Sequence, residues 1–328
     1  MPKAPEQSSV TAVPRDHVPQ AMATTIQPQP AATNPAIADS AKSLSSYGQL
    51  HDLMKQYQTK DLVNVDADSF LRWIQQLQAA CDTTAESART DQIQHPMADR
   101  FHWGHRHNFG DFSMPGRMGN HHIAVIATFI DGLPALSRSL QGKRVLDIGC
   151  WTGGTSLLLA AMGAQVVAIE EIKMYADCAE FLCHAFDVQR LEVRHTSLFD
   201  CTGQEYQDAF DYVLFAGVLH HLSDPKLALR IVFNSLKDGG QCLLETLSFD
   251  HDQRILARRA EDAAGNSERP WGWHWLLFTP PTLQEMMRFV GFTIDHPCTV
   301  VDGRTFAVGR RDHHVDFRRS GLSMRDIR

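Results

Sequence analysis

The chain has 328 residues, 43% hydrophobic and 21% charged, and its 31 Lys and Arg against 38 Asp and Glu leave a net charge of −7. That length suits one large domain or two ordinary ones with an ample core, and its apolar runs fall far short of the roughly 20 residues that a bilayer span needs. The acidic balance argues against polyanion binding driven by bulk charge and leaves only a local basic patch for nucleic acid.

Seven of the fifteen prolines fall between Pro2 and Pro35, among Ala, Gln, Ser and Thr. Such a segment carries too little apolar mass to offset its ordering entropy, so residues 1–42 read as a disordered tail. The first residues lack a basic patch followed by an apolar stretch, which points to a cytoplasmic, soluble protein with no membrane partner. From Leu44 the pattern turns helical. Leu50, Leu53, Met54 and Tyr57 repeat at three and four, as do Phe70, Trp73, Ile74 and Leu77, with Asp66 and Asp68 placed to cap the second run. Two such helices suit a lid or a homodimer contact, and packing alone explains them equally well.

The stretch Phe101–Gly110 is rich in histidine and aromatic residues, and six histidines lie between His95 and His122. Imidazole suits zinc or iron. However, His102, His105 and His107 have no neighbouring cysteine, so no metal is assigned. From Gly142 strands and helices alternate. Strands are expected over Arg144–Ile148, Gln165–Ile169, Leu191–His195, Phe210–Phe215 and Gln241–Leu247, the last after the turn Asp238–Gly240. Helices are expected over Thr155–Met162, Ala176–Phe186, Leu227–Leu236 and Pro281–Val290. Phe292–Asp295 and Thr305–Val308 read as a closing hairpin. Seven strands, the first five alternating with helices, argue for a doubly wound, mostly parallel α/β sheet with an N-terminal helical cap. Seven cysteines from Cys81 to Cys298 without a CxxC pair fit neither a disulfide scaffold nor a zinc ribbon.

The strongest motif is Val145-Leu-Asp-Ile-Gly-Cys-Trp-Thr-Gly-Gly-Thr-Ser156, a strand, a tight turn and a helix start. Gly149 permits the turn, and Gly153 and Gly154 permit close approach at the helix N-terminus. The spacing fails the GxGxxG dinucleotide fingerprint and the GxxxxGK[ST] phosphate loop. No basic residue lies in the loop to meet a pyrophosphate. Asp147 precedes the turn and suits an ammonium group or bound water. Glu170 ends the next strand, where a carboxylate suits a ribose diol. Together these favour a nucleoside with a cationic amino-acid tail.

The stretch resembles the donor-binding motif of class I S-adenosylmethionine-dependent methyltransferases, with Trp151 where a glycine is usual. Phe210–Leu222 and Leu236–Thr246 resemble the fourth- and fifth-strand motifs of that superfamily. The resemblance implies a Rossmann-like methyltransferase fold over Gly142 to about Arg310 and S-adenosyl-L-methionine as cofactor, with S-adenosyl-L-homocysteine as product. It implies cofactor contacts from Asp147, Gly149, Cys150, Trp151, Gly153, Glu170, Ser197, Leu198, Ala216 and Gly217. Gly217-Val-Leu-His-His221, Leu244–Leu247 and Gly291-Phe292 resemble more closely the tRNA wobble-uridine carboxymethyltransferase family, whose donor is carboxylated. There a tyrosine that contacts the extra carboxylate stands where this chain has His220.

Methyl transfer needs in-line alignment, and holding both partners in register supplies roughly 7–11 kcal/mol of the barrier. A base is needed only where the acceptor must lose a proton, and His220 and His221 stand where one would serve. Trp103, His105, Arg106 and Arg117 are read as a lid over donor and acceptor, the arginines being suited to a carboxylate. The insertion 248–279 carries Arg254, Arg258, Arg259 and Arg269, then Trp271, Trp273 and Trp275 at alternate positions. In an extended segment those three rings share a face and could stack on a flat acceptor or surround a cation. A hydrophobic plug is the equal alternative. The division is therefore a tail over 1–42, a cap over 43–141, a catalytic domain over 142–310 and a tail over 311–328. The expected activity is methylation of a small-molecule acceptor through O, N or S. A tRNA-modifying enzyme and a non-catalytic donor-binding regulator are the alternatives.

Overall fold

The computed structural model describes residues 42–58, 64–84, 103–109, 112–114, 116–248, 256–257 and 276–312. All lie in the unit Thr33–Arg328; the expected N-terminal tail, including the separate unit Met1–Ala32, falls outside them but for Lys42.

Helix α1 (Ser45–Gln58) is anchored at its start by Asp131, whose carboxylate accepts the Ser46 N–H at 2.6 Å and the Ser46 hydroxyl at 2.8 Å. Burial works to raise that carboxyl's pKa, but the bonds from Ser46, Arg138 and Ser45 outweigh it and hold it below the ordinary value. Helix α2 (Ala67–Thr84) is capped by Asp66, which accepts the Ser69 N–H at 2.8 Å. Tyr47, Leu50 and Met54 of α1 and Phe70 and Ile74 of α2 enter the same core as helix α3 (His121–Ala127). Trp73 stacks on Phe181 with ring centroids 4.1 Å apart. The described apolar positions of both stripes, Leu50, Met54, Phe70 and Ile74 among them, are thus spent on the chain's own core. Between α2 and α3 lies a short antiparallel hairpin, β1 (His107–Phe109) and β2 (Phe112–Met114).

The central sheet has seven strands, mostly parallel, as the alternation predicts. Its members are β3 (Arg144–Ile148), β4 (Gln165–Glu170), β5 (Leu191–His195), β6 (Phe210–Ala216), β7 (Leu236–Leu247), β10 (Thr299–Val301) and β11 (Arg304–Arg310), and a separate two-stranded ribbon joins β8 (Leu256–Ala257) to β9 (Leu277–Phe278). The order across the sheet is β10-β11-β7-β6-β3-β4-β5, with β11 antiparallel to β7 and β10 antiparallel to β11. Helices α4 (Gly154–Ala161), α5 (Lys173–Ala185), α6 (Pro225–Ser235) and α7 (Pro280–Val290) cover it. Period-two alternation sorts the strand residues into two cores. Val145, Val166 and Leu214 face α1–α5, whereas Leu146, Val167 and Val213 face α6 and α7.

Two details differ from the sequence reading. The closing hairpin is Thr299–Val301 with Arg304–Arg310, turning at Asp302-Gly303, both at positive φ. Phe292–Asp295 is not a strand; it meets β11 through one bridge, Thr293 to Arg310, and through the Arg310–Asp295 ion pair, while Phe292 packs against Phe233. The turn Asp238–Gly240 is absorbed into β7 as a bulge, where the register against β6 jumps from Phe210–Leu236 to Tyr212–Gln241. The parallel strands present their carboxyl ends along one edge, where open α/β sheets hold ligands.

Candidate active site

The turn after β3 is built on left-handed backbone. Gly149 has φ 68°, Trp151 φ 52° and Gly153 φ 86°. The N–H groups of Gly149 and Cys150 both donate to Ile169 O, at 2.9 and 3.1 Å, and fasten the turn to the end of β4. Trp151 therefore adopts the backbone that makes glycine usual at this place, and its ring is held edge-on between His105 (5.6 Å) and Tyr175 (6.1 Å). Gly149 faces Val218: a Cβ there would strike the Val218 side chain. The turns at Gly149 and at Gly217 (φ 75°) therefore lie side by side at the carboxyl ends of β3 and β6, and the ligand edge they border is the slot.

Two acids sit at the base of the turn in different roles. Glu170 is buried, and each carboxylate oxygen accepts one backbone N–H, from Trp151 and from Ile172, both at 2.9 Å. Burial pushes its pKa up to about 7 against the pull of those two N–H groups. Each oxygen keeps a second lone pair for a ligand. Asp147 is buried, with a pKa pushed up to about 6 by burial, and it accepts the Ser156 hydroxyl at 2.5 Å. It braces β3 against α4. The buried Cys150 packs behind the turn in the core. Thr196 N–H donates to Glu170 O at 3.0 Å and so brings Ser197 and the buried Leu198 beside that acid.

On the other side of the slot, β6 ends at Ala216, and Gly217 N–H donates to Glu245 O at 3.0 Å. Glu245 is wholly buried and its carboxylate is gripped by both the Nε and an Nη of Arg304. His220 and His221 form a short helical turn. Leu247 N–H donates to His220 Nδ1 at 3.2 Å, and the Thr246 hydroxyl lies 3.0 Å from the same atom. A backbone N–H can only donate, so Nδ1 is the lone-pair nitrogen and the proton sits on Nε2. His221 is half-buried against it, with ring centroids 4.0 Å apart.

The cap meets the turn directly. Gly104 N–H donates to Thr152 Oγ1 at 3.0 Å, and the His105 ring leans on Gly154, leaving no room there for a Cβ. Segments 103–106 and 117–119 are joined by Arg117 N–H to Trp103 O, Met118 N–H to Gly104 O and Arg106 N–H to Gly119 O, at 2.7–2.8 Å. Trp103 and His105 are buried, whereas Arg106 and Arg117 are exposed. Trp271, Trp273 and Trp275, with the four arginines of the insertion, lie outside the described residues. Sequence reasoning assigned no role to Thr152, Tyr175 or the Glu245–Arg304 pair, and it placed His121 and His122 only within the histidine-rich stretch. A buried acid inside an apolar strand was the one visible signal, at Glu245. Among the described residues, no three His, Cys, Asp or Glu side chains are placed to hold a metal, and no helix is long and apolar enough to cross a membrane.

The family profile described as a methyltransferase domain matches residues 120–296, over half of the chain. The chain belongs to the class I S-adenosylmethionine-dependent methyltransferases. Its seven-stranded sheet and donor motif agree with that membership, and S-adenosyl-L-methionine is the family's methyl donor. The chain is 33% identical over 196 residues to a tRNA U34 carboxymethyltransferase of Haemophilus influenzae, covering 55% of this chain and 57% of the relative. It is 31% identical over 121 residues to a ubiquinone biosynthesis O-methyltransferase of Pseudomonas entomophila, covering 36% and 50%. A tRNA U34 carboxymethyltransferase of Campylobacter hominis is 31% identical over 121 residues, covering 35% and 40%. The chain thus spans about half the length of the curated relatives it matches.

Proposed function

We propose that the chain transfers the methyl group of S-adenosyl-L-methionine to a small-molecule acceptor. The slot at the carboxyl ends of β3 and β6, bordered by the glycine turns at Gly149 and Gly217, suits the donor. Glu170 is the acceptor for the ribose hydroxyls through the lone pairs that Trp151 and Ile172 leave unused. Ser197 and Leu198 flank it on the nucleoside side, and Ala216 and Gly217 border the methionine end. When bound, the donor supplies an activated methyl on a sulfonium; the chain's part is to hold donor and acceptor in line and exclude water. His220, its proton fixed on Nε2, is a hydrogen-bond donor that positions. His221 is the residue placed to take a proton where the acceptor must lose one.

One observation carries the small-molecule reading. The cap lies on Trp151, Thr152 and Gly154 through buried Trp103 and His105, so a macromolecular acceptor would have to displace a packed segment to reach the slot. His220 in place of the family tyrosine, with Arg304 already engaged by Glu245, also leaves the carboxylated donor poorly served. The second reading, a tRNA acceptor, draws on the names of the Haemophilus and Campylobacter relatives. The test supplies labelled S-adenosyl-L-methionine with either bulk tRNA or the small-molecule fraction of a cell extract. Label in the small-molecule fraction is expected; label in tRNA would replace this reading with the second.

A further inference from the structure

The inner face of the cap carries a feature that methyl transfer itself does not use. His105, His121 and His122 are each more than nine-tenths buried. Among the described residues, the Nδ1 atoms of His105 and His121 and both ring nitrogens of His122 have no hydrogen-bond partner. Buried imidazole nitrogens without partners are rare in folded proteins because each forfeits its bonds to water. The His105 and His122 rings are 4.6 Å apart, with His107 6.2 Å from His122, and His121 adjoins His122 at the start of α3 within electrostatic reach of both His105 and His122. They also span the slot's two sides. His105 rests on Gly154 of the donor turn. His121 lies within the field of Arg304, whose guanidinium stands 3.6 Å from the place of a Gly217 Cβ.

We propose that His105, His121 and His122 form the recognition wall of the acceptor site, and that the acceptor is an uncharged molecule bearing hydroxyl or amide groups. This rests on the methyl-transfer reading above. Burial holds the His105 and His121 rings down to about 3 and His122 well below its ordinary value, so all three are neutral in the working range. A neutral imidazole offers one N–H and one lone pair. Three of them match a ligand that both donates and accepts. Against these three rings a carboxylate or phosphate would lose its water and gain no net positive charge from Arg304, which Glu245 already neutralises.

The test uses the full chain and His122→Leu. The small-molecule fraction of a cell extract is split by ion exchange into neutral, anionic and cationic pools, and each is offered with labelled S-adenosyl-L-methionine. Label should enter the neutral pool, and His122→Leu should lose roughly ten- to a hundredfold of kcat/KM there while donor Kd stays unchanged. Removing two partnerless nitrogens should also raise the ligand-free Tm by about 2–4 °C, whereas a structural histidine would lower it on replacement. Label in a charged pool, unchanged kcat/KM in the variant, a fall in Tm, or a stoichiometric metal in protein purified without an affinity tag would each overturn the wall. Donor binding without label in any pool would instead remove the methyl-transfer reading, and a raised Tm would still mark the wall as a ligand site.

Discussion

In the proposed function, Glu170 is the residue on which donor binding turns. Its two oxygens each hold a backbone N–H, so it fixes the left-handed Trp151 and offers lone pairs outward at the same time. Glu170→Gln keeps the shape but presents an NH2 group to one of those N–H groups. That leaves one backbone donor buried without an acceptor, at a cost of about 1–3 kcal/mol, and removes half of the ribose acceptor. We expect calorimetry to show a donor Kd weaker by roughly ten- to a hundredfold; an unchanged Kd would remove Glu170 from the site. The same carboxyl gives a pH signature. With its pKa near 7 in the donor-free protein, the ionised form that binds a diol is lost on acidification. Donor Kd should therefore rise by roughly tenfold for each pH unit below about 7. A Kd flat between pH 8 and 5.5 would contradict it.

At the scale of elements, the cap's seating on α4 is decided at Gly154. Gly154 lies in the first turn of α4, with ordinary helical backbone, so alanine there should stabilise by up to about 1 kcal/mol on helix propensity alone. The His105 ring occupies the place of that Cβ. Forcing the two apart should cost about 1–3 kcal/mol, so Gly154→Ala should lower Tm and raise acceptor KM. A Tm gain of the propensity's size would mean that the cap does not rest on the helix. The strands of the sheet were legible because runs such as Val145–Ile148 and Phe210–Phe215 are apolar and bounded by turn residues. The donor turn was legible because glycine and acid are placed by backbone conformation, which spacing records; even Trp151 obeys it at φ 52°. The edge hairpin was misplaced, since Phe292 and Ile294 pack in the core with α7 and so resemble strand residues. The cap was legible only as histidine-rich, because nothing in a sequence distinguishes a solvated histidine from His122 at 1% exposure.

For the whole molecule, two sets of buried groups pull stability in opposite directions as pH falls. Glu170 and Asp147 have folded pKa values raised to about 7 and about 6, so between their ordinary and folded values the native state binds more protons than the unfolded chain. Acidification through that window favours folding by about 1.4 kcal/mol per proton per pH unit. His105, His107 and His121 have folded values lowered to about 3, and His122 is also well below the ordinary 6.5. Below about 6.5 the unfolded chain takes up these four protons and the native state does not, so acidification favours unfolding. Four protons against two leave a net loss near two, or roughly 3 kcal/mol for each unit between about pH 6 and 5. That is large beside the 5–15 kcal/mol by which domains are ordinarily stable. Urea midpoints at pH 8, 7, 6 and 5 should therefore hold nearly level to pH 7 and then fall steeply, and His122→Leu should reduce the steepness by one proton. A midpoint that stays flat or rises between pH 7 and 5 would show that the histidines are hydrated in solution, because depressed carboxylates such as Asp131 pull the same way only at lower pH.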